Sequence, residues 1–501
     1  MEQQRTQGND ARSVNIKVTH AISNAVKSTL GPKGMDKLIS TEEGEATISN
    51  DGATILKNMK IEHPVGKILV DIAKTQENEV GDGSTSVVII AGALLDNAEK
   101  LINQGVHPST IINGYKLADK KARELYELAS YNITIKDKQK LKNIIKTTMS
   151  GKLTDSNTHI IDLILESFAR TYNNDFNRNN IKISHKIGKS IEESELLTLF
   201  IDKPIEKPII TNLINPKVLL LDTPLEKKSP ETDANITISD PDKYMEFLEQ
   251  DEKQLIETTN KIIKVHPDIV FCQKGVDDVV TELLAKNNIM IVKRVLKEDM
   301  VQLSKITNTM VNSTLNNLVT GELESIEQKS INGEDLIFIN HNCNIVNLIL
   351  RASTDHILQE LERAVDDVIG ALTSVLHTGK YVYGAGSTEM KVSLDLKDYS
   401  KSLGGKEQLA IDSYADALLS IPETLAESTG ENKLDIITEM KHKHNNDILA
   451  GVDVIANKVT NMLNSDVIEP LDIKLQALKS ATESSIMILR IDDIILGKVI
   501  E

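Results

Sequence analysis

Three short segments near the start of the chain set glycine beside hydroxyl or acidic side chains. They read Thr29-Leu30-Gly31-Pro32-Lys33-Gly34, Asn50-Asp51-Gly52-Ala53-Thr54 and Gly81-Asp82-Gly83-Ser84-Thr85-Ser86. Glycine lets backbone N–H groups close on an anion, and hydroxyls add donors. An aspartate among them is a hard oxygen ligand of the kind Mg2+ takes. Each segment borders a periodic apolar stretch, and together they read as one nucleotide site approached from three sides. Taken singly, each has a plainer reading. Gly-Asp-Gly-Ser-Thr is a capped turn, Asn50-Asp51-Gly52 a hairpin turn, and Gly384-Ala385-Gly386-Ser387 a flexible loop. No Walker A string occurs, which disfavours a standard P-loop enzyme. Asp366-Asp367 reads as solvated acids on a helix. His442 and His444, with Lys and Asn around them, read as a polar loop rather than as metal ligands. Spacing picks out no Ser/His/Asp constellation.

The elements that would carry these loops follow from apolar period. Val14, Val18, Ala21, Ile22, Ala25 and Val26 fall at helical spacing over 11–30, and Gly31-Pro32 stops the helix. The third loop opens a second helix, apolar nearly all round from Val87 to Leu95 and therefore buried. Its N-terminus offers free N–H groups and a partial positive charge to phosphate. The middle of the chain changes character. Val218–Leu221, Ile269–Cys272 and Ile289–Val292 are short apolar runs separated by helical stretches, the pattern of an α/β unit. Helical pattern then persists to the C-terminus. An insertion within a helical domain and a series of sequential domains both fit that order. Within the α/β part, Ile236-Thr237-Ile238 reads as a strand, with Asp240 capping a helix over about 241–262. On pattern alone that is an ordinary core helix; a protruding element is the alternative.

Composition bounds the classes. At about 150 residues per domain, 501 residues predict roughly three domains. Aromatics at 3% with no Trp disfavour a base-stacking nucleic-acid binder. A net charge of −17 disfavours nucleic acid and anionic membranes as partners. Cys272 and Cys343 form no disulfide or metal pattern, so a reducing compartment is expected. Met1-Glu2-Gln3-Gln4 opens no signal-like segment and no run of 18 apolar residues occurs, so a cytoplasmic protein is expected.

The order and combination of strings resemble the group II chaperonins, the archaeal thermosome and the eukaryotic cytosolic chaperonin, with an archaeal flavour. The strings are TLGPKGMDKL at 29–38, NDGATIL at 50–56, AKTQENEVGDGSTS at 73–86, FCQKGVDD at 271–278 and VIEPLDIKLQALKSATESSIMILRIDDII at 467–495. The resemblance runs from about 11 to 497. It implies a multidomain α and α/β chaperonin fold. A mostly helical equatorial ATPase domain would comprise 1–137 and 384–501, and an intermediate hinge domain 138–205 and 351–383. An α/β apical domain would occupy 206–350, with a helical lid protrusion at about 229–260. That nesting favours the insertion, and the protrusion displaces the core-helix reading.

The resemblance also implies roles. Asp82 would bind Mg2+, with Asp51 beside it placing metal and water. Gly83, Ser84, Thr85 and Ser86 would surround the phosphates, Leu30, Gly31 and Pro32 cover the nucleotide, and Asn50 and Gly52 complete the second loop. Asp367, rather than Asp366, would activate the attacking water. Gly151 would contact the nucleotide, and Lys152 after it would sense the γ-phosphate. Gly384 and Gly386 would sit at the adenosine, Glu469 at the ribose and Asp453 near the base. The implied activity is ATP hydrolysis with Mg2+, coupled to closure of a double-ring chamber around unfolded client protein, with identical or paralogous subunits as ring partners. A structural or low-ATPase ring subunit working beside a paralogue is the alternative. An enzyme of small-molecule phosphate metabolism is a third reading, disfavoured by the extent of the resemblance. The sequence departs from the family pattern at Ala385, where the family has glycine, and a Cβ there crowds the loop if φ is positive. Ser84 and Ser86 replace threonines and keep the hydroxyl. The family's Gly/Met-rich tail is not expected here.

Overall fold

The computed structural model describes residues 5–40, 46–152, 157–172, 178–188, 190–226, 253–331, 334–341 and 343–495. Two compact units emerge. One comprises Met1–Leu165, Ile187–Glu192 and Arg351–Glu501, the other Glu166–Lys186 and Glu193–Leu350.

The first unit is built around the helix Ser84–Asn103. Val87, Val88, Ile89, Ala91, Leu94 and Leu95 are all buried, as the unbroken apolar sequence predicts. Helices Gly8–Lys27, Pro64–Val80, Pro108–Leu128, Lys406–Leu418 and Leu471–Leu489 pack around it. At Gly92 an added Cβ would lie 2.6 Å from Ser23 Oγ, so only glycine lets the helix Gly8–Lys27 approach this closely. A small antiparallel sheet of Ile468–Pro470, Lys380–Tyr383 and Tyr131–Asn132 sets Glu469 opposite Val382, two residues before Gly384. A hairpin, Ala450–Asp453 with Lys458–Asn461, lies downstream of the helix Lys433–Lys443. His442 lies in its last turn. His444 caps it and is buried, its Nε2 2.8 Å from Ala450 O. The expected polar loop is therefore a helix terminus, and burial pushes the His444 imidazole towards its neutral form.

The second unit is the expected α/β part. Strands Met290–Val292, Ile269–Cys272 and Lys217–Leu221 run parallel, with Thr320–Glu322 antiparallel at one edge. Helices Asp278–Lys286 and Lys297–Ile306 supply the alternation seen in sequence. The three parallel strands are buried throughout except for Lys217. Of the expected protrusion at 229–260, residues 229–252 lie outside the described residues. Residues 253–263 are helical, and Leu255 and Ile262 join the core beneath the parallel strands. Both cysteines are free.

Candidate functional site

The three glycine loops converge in the first unit on a cleft of about 740 Å3, a volume suited to a nucleotide-sized ligand. Local backbone preferences build it. Gly81 takes φ 78 and ends the helix Pro64–Val80; Gly83 takes φ 86 and opens the helix Ser84–Asn103. No side chain caps that helix and no acid sits in its first turn, so its leading N–H groups and macrodipole are left for an anion. Ser84, Thr85 and Ser86 line the cleft there. Asp51 forms no hairpin turn. It caps the helix Gly52–Asn58, accepting from Thr54 N at 2.7 Å, while its other oxygen accepts from Ser84 Oγ at 2.6 Å. A Cβ on Gly52 would lie 2.6 Å from Thr85 Oγ1, so glycine permits the two loops to touch. Asn50 Nδ2 donates to Gly151 O at 2.8 Å, and a Cβ on Gly151 would meet Gly31 O at 2.6 Å. Gly52 and Gly151 thus stand behind the wall rather than in it.

Helix Asp355–Thr378 brings the next residue. Gly370 crosses Gly81 so closely that a Cβ on Gly81 would fall 2.5 Å from Gly370 Cα. Asp367, one turn earlier, is thereby carried to the loop and lines the cleft with Asp51 and Asp82. It forms an ion pair with Lys152, 215 residues away in sequence. Both members are largely buried. Burial raises the proton affinity of Asp367, and Asp51 and Asp82 raise it further, against the pull of Lys152. Burial disfavours the Lys152 ammonium, but Asp367, Asp82 and Asp51 outweigh it and hold the proton on. The two directions are compatible because three carboxylates share one ammonium: the lysine keeps its charge, and the excess of negative charge is relieved by a proton held more tightly at the buried Asp367.

The deficit of positive charge in this cluster fits a divalent cation. Asp82 Oδ1 accepts from Gly83 N at 2.6 Å, and no donor among the described residues reaches its Oδ2. Both Asp51 oxygens are already engaged. No group of three His, Cys, Asp or Glu side chains among the described residues converges to hold a metal alone. Mg2+ uses one or two carboxylates and takes its remaining ligands from water and phosphate, and Asp82 could supply one such oxygen.

Part of the cleft wall is apolar, formed by Ile421, Leu425, Val452, Val454 and Ile455. Leu30, Gly31 and Pro32 line it as expected. Asp453 lines it too, but its Oδ1 accepts from Ile455 N and Ala456 N at 3.1 and 2.9 Å, which binds it into its own turn. Gly386 lines the cleft; Gly384 sits behind, where a Cβ would meet Glu469 Oε1 at 2.2 Å. Ala385 between them does take positive φ, 55°, so its Cβ is held in a strained conformation. Its carbonyl accepts from Val452 N at 3.0 Å. Glu469 is paired with Lys474 at 2.5 Å, and Lys474 also binds Glu389 at 2.8 Å. Sequence reasoning missed Lys474 and Glu389. Lys474 stands inside the 467–495 string and Glu389 in the first turn after Gly386, but only folding reveals that they meet.

Two chain ends folded into one helical unit, an α/β unit spliced between them, and an acid-lined cleft in the helical part together define an architectural class. A model of the TCP-1/cpn60 chaperonin family matches residues 22–499. Thermosome subunit beta of Archaeoglobus fulgidus is 42% identical over 99% of this chain and 94% of its own. A thermosome subunit of Methanocaldococcus jannaschii is 40% identical over 98% and 93%, and thermosome subunit 1 of Haloferax volcanii 39% over 99% and 90%. The chain belongs to the TCP-1/cpn60 chaperonin family, on its archaeal, group II side. Members of that family are ATP-dependent chaperones with ATPase activity.

Proposed function

We propose that this chain is an ATP-hydrolysing subunit of a cytoplasmic double-ring chamber. The chamber binds unfolded protein, closes a built-in lid and assists folding. The observation that carries the reading is the meeting of Asp51, Asp82, Lys152 and Asp367 around an uncapped helix N-terminus. Bound Mg2+ would neutralise charge on the transferring phosphoryl group. Asp82, with its unengaged oxygen, is the residue to hold it, and Asp51 fixes the adjacent loop. The N–H groups of Ser84, Thr85 and Ser86 bind phosphate. Asp367, whose raised proton affinity suits a general base, orients and deprotonates water. Lys152 balances charge at the same centre. Glu469, held by Lys474, faces the sugar, and the apolar wall takes the base.

We assign 1–137 and 384–501 to an equatorial domain, 138–205 and 351–383 to an intermediate one, and 206–350 to an apical one with a lid at about 229–260. Asp367 then belongs to the intermediate domain, so domain closure completes the site and hydrolysis reports closure. Among the described residues no helix is long and apolar enough to cross a membrane. The strained Ala385 favours the slower, paralogue-dependent subunit only if its Cβ reaches the nucleotide. Native mass combined with proteolysis tests the proposal. A particle of many subunits whose 229–260 segment resists protease only during ATP turnover is expected. A monomer, or cleavage indifferent to ATP, contradicts it.

A further inference from the structure

The cleft wall is strongly acidic, with seven Asp and Glu side chains against three lysines. Two of those lysines are committed. Lys152 is held by Asp367, and Lys474 by Glu389 and Glu469. Their charge is largely spent within the protein. The third, Lys146, is exposed, and no acid among the described residues pairs with it.

Its position is set by the helix Lys138–Met149. Gln139, Asn143, Lys146 and Thr147 fall at i, i+4, i+7 and i+8, one face, and all four line the cleft. Gln139 Nε2 donates to Asn143 Oδ1 at 3.2 Å, so these two are partly satisfied and the lysine is the charged member of the ridge. The helix ends at Ser150, and Lys152 follows three residues past its last turn. That turn is joined through Ser150 and Gly151 to Lys152, which pairs with Asp367. A plainer role for Lys146 is to complement the negative C-terminus of its own helix. That role leaves unexplained why the side chain opens on an acidic cleft that must accept a polyanion.

We propose that Lys146 is a specificity-determining contact for the polyphosphate of the bound nucleotide, supplying the uncommitted cation that the two buried lysines cannot. This rests on the nucleotide reading of the cleft. A charge-assisted hydrogen bond to phosphate is worth roughly tenfold in affinity.

The test is equilibrium binding of ATP, ADP and adenosine to the full-length assembled protein, wild type against Lys146→Met and Lys146→Arg, at low and high salt. Lys146→Met is expected to weaken ATP about tenfold, with adenosine unchanged and the salt dependence flattened. Lys146→Arg is expected to restore most of the loss. In steady state KM for ATP rises while kcat is retained. ATP binding within about twofold of wild type in Lys146→Met overturns the inference, as does equal weakening of adenosine, which would mark a structural role. A wild-type protein that binds no ATP overturns the nucleotide reading instead, so the two failures are distinct.

Discussion

Substituting Asp367→Asn separates binding from chemistry at this site. The side chain is nearly isosteric, and the helix that carries it is anchored independently by the Gly81–Gly370 crossing. The change removes one of three carboxylates facing the place of a polyanion, so ATP affinity should hold or rise. It also removes the group positioned to take a proton from water. General-base catalysis contributes roughly 10^2–10^4-fold, equivalent to about 3–5 kcal/mol of barrier. The expected result is a kcat lower by that factor with KM unchanged or reduced, read by phosphate release under saturating ATP and Mg2+. Wild-type turnover should fail on acidification at a pH above the ordinary carboxylate range. Burial first, then Asp51 and Asp82, raise the proton affinity of Asp367. The sign for stability is the reverse. A carboxyl whose folded pKa is raised stabilises the fold at low pH and loses that contribution as pH rises through the folded value. Wild type should therefore lose stability relative to the Asn variant as pH rises. A variant retaining kcat within tenfold would refute the assignment, whatever its affinity.

Three further substitutions address the scaffold. Gly384→Ala forces a Cβ onto Glu469, and overpacking of this kind costs about 1–3 kcal/mol, visible as a lower denaturation midpoint with weakened ATP binding. An unchanged midpoint would mean that the loop relaxes freely. Ala385→Gly relieves a left-handed alanine worth about 1–2 kcal/mol but loosens the unfolded chain by about 0.5–1 kcal/mol. A net gain of about 0.5 kcal/mol is expected in chemical denaturation, and a loss above 1 kcal/mol would contradict the strain argument. Lys474→Met strands Glu389 and Glu469 without their cation, which should destabilise the protein by about 3–5 kcal/mol. A mild effect would mean that water reaches those carboxylates.

Legibility in the sequence followed locality. The buried helix Ser84–Asn103 and the three parallel strands were readable because apolar period is a short-range signal. The phosphate loops were readable because glycine and hydroxyls sit side by side in the chain. Two kinds of information were not local. The plain reading of Asn50-Asp51-Gly52 as a hairpin turn gave way to a helix cap, because Ser84 offers Asp51 a partner from another loop. Asp366 and Asp367 are indistinguishable by type; the family resemblance singled out Asp367, and it is Asp367 that lines the cleft. Lys474 and Glu389 gave no signal, since a buried ion pair looks in sequence like two ordinary surface charges. The histidines misled because their polar neighbours predicted a loop, while the chain ends a helix there and buries the His444 side chain against Ala450.

The central claim is that Asp51, Asp82, Lys152 and Asp367 form a working Mg2+-dependent ATPase centre. The most direct measurement is ATP turnover by the purified, assembled wild-type protein, titrated with Mg2+ and repeated with Asp82→Ala. Hydrolysis that requires Mg2+ and disappears in the variant is the predicted result. Turnover indifferent to Mg2+, turnover retained without Asp82, or none in the wild type would contradict the account.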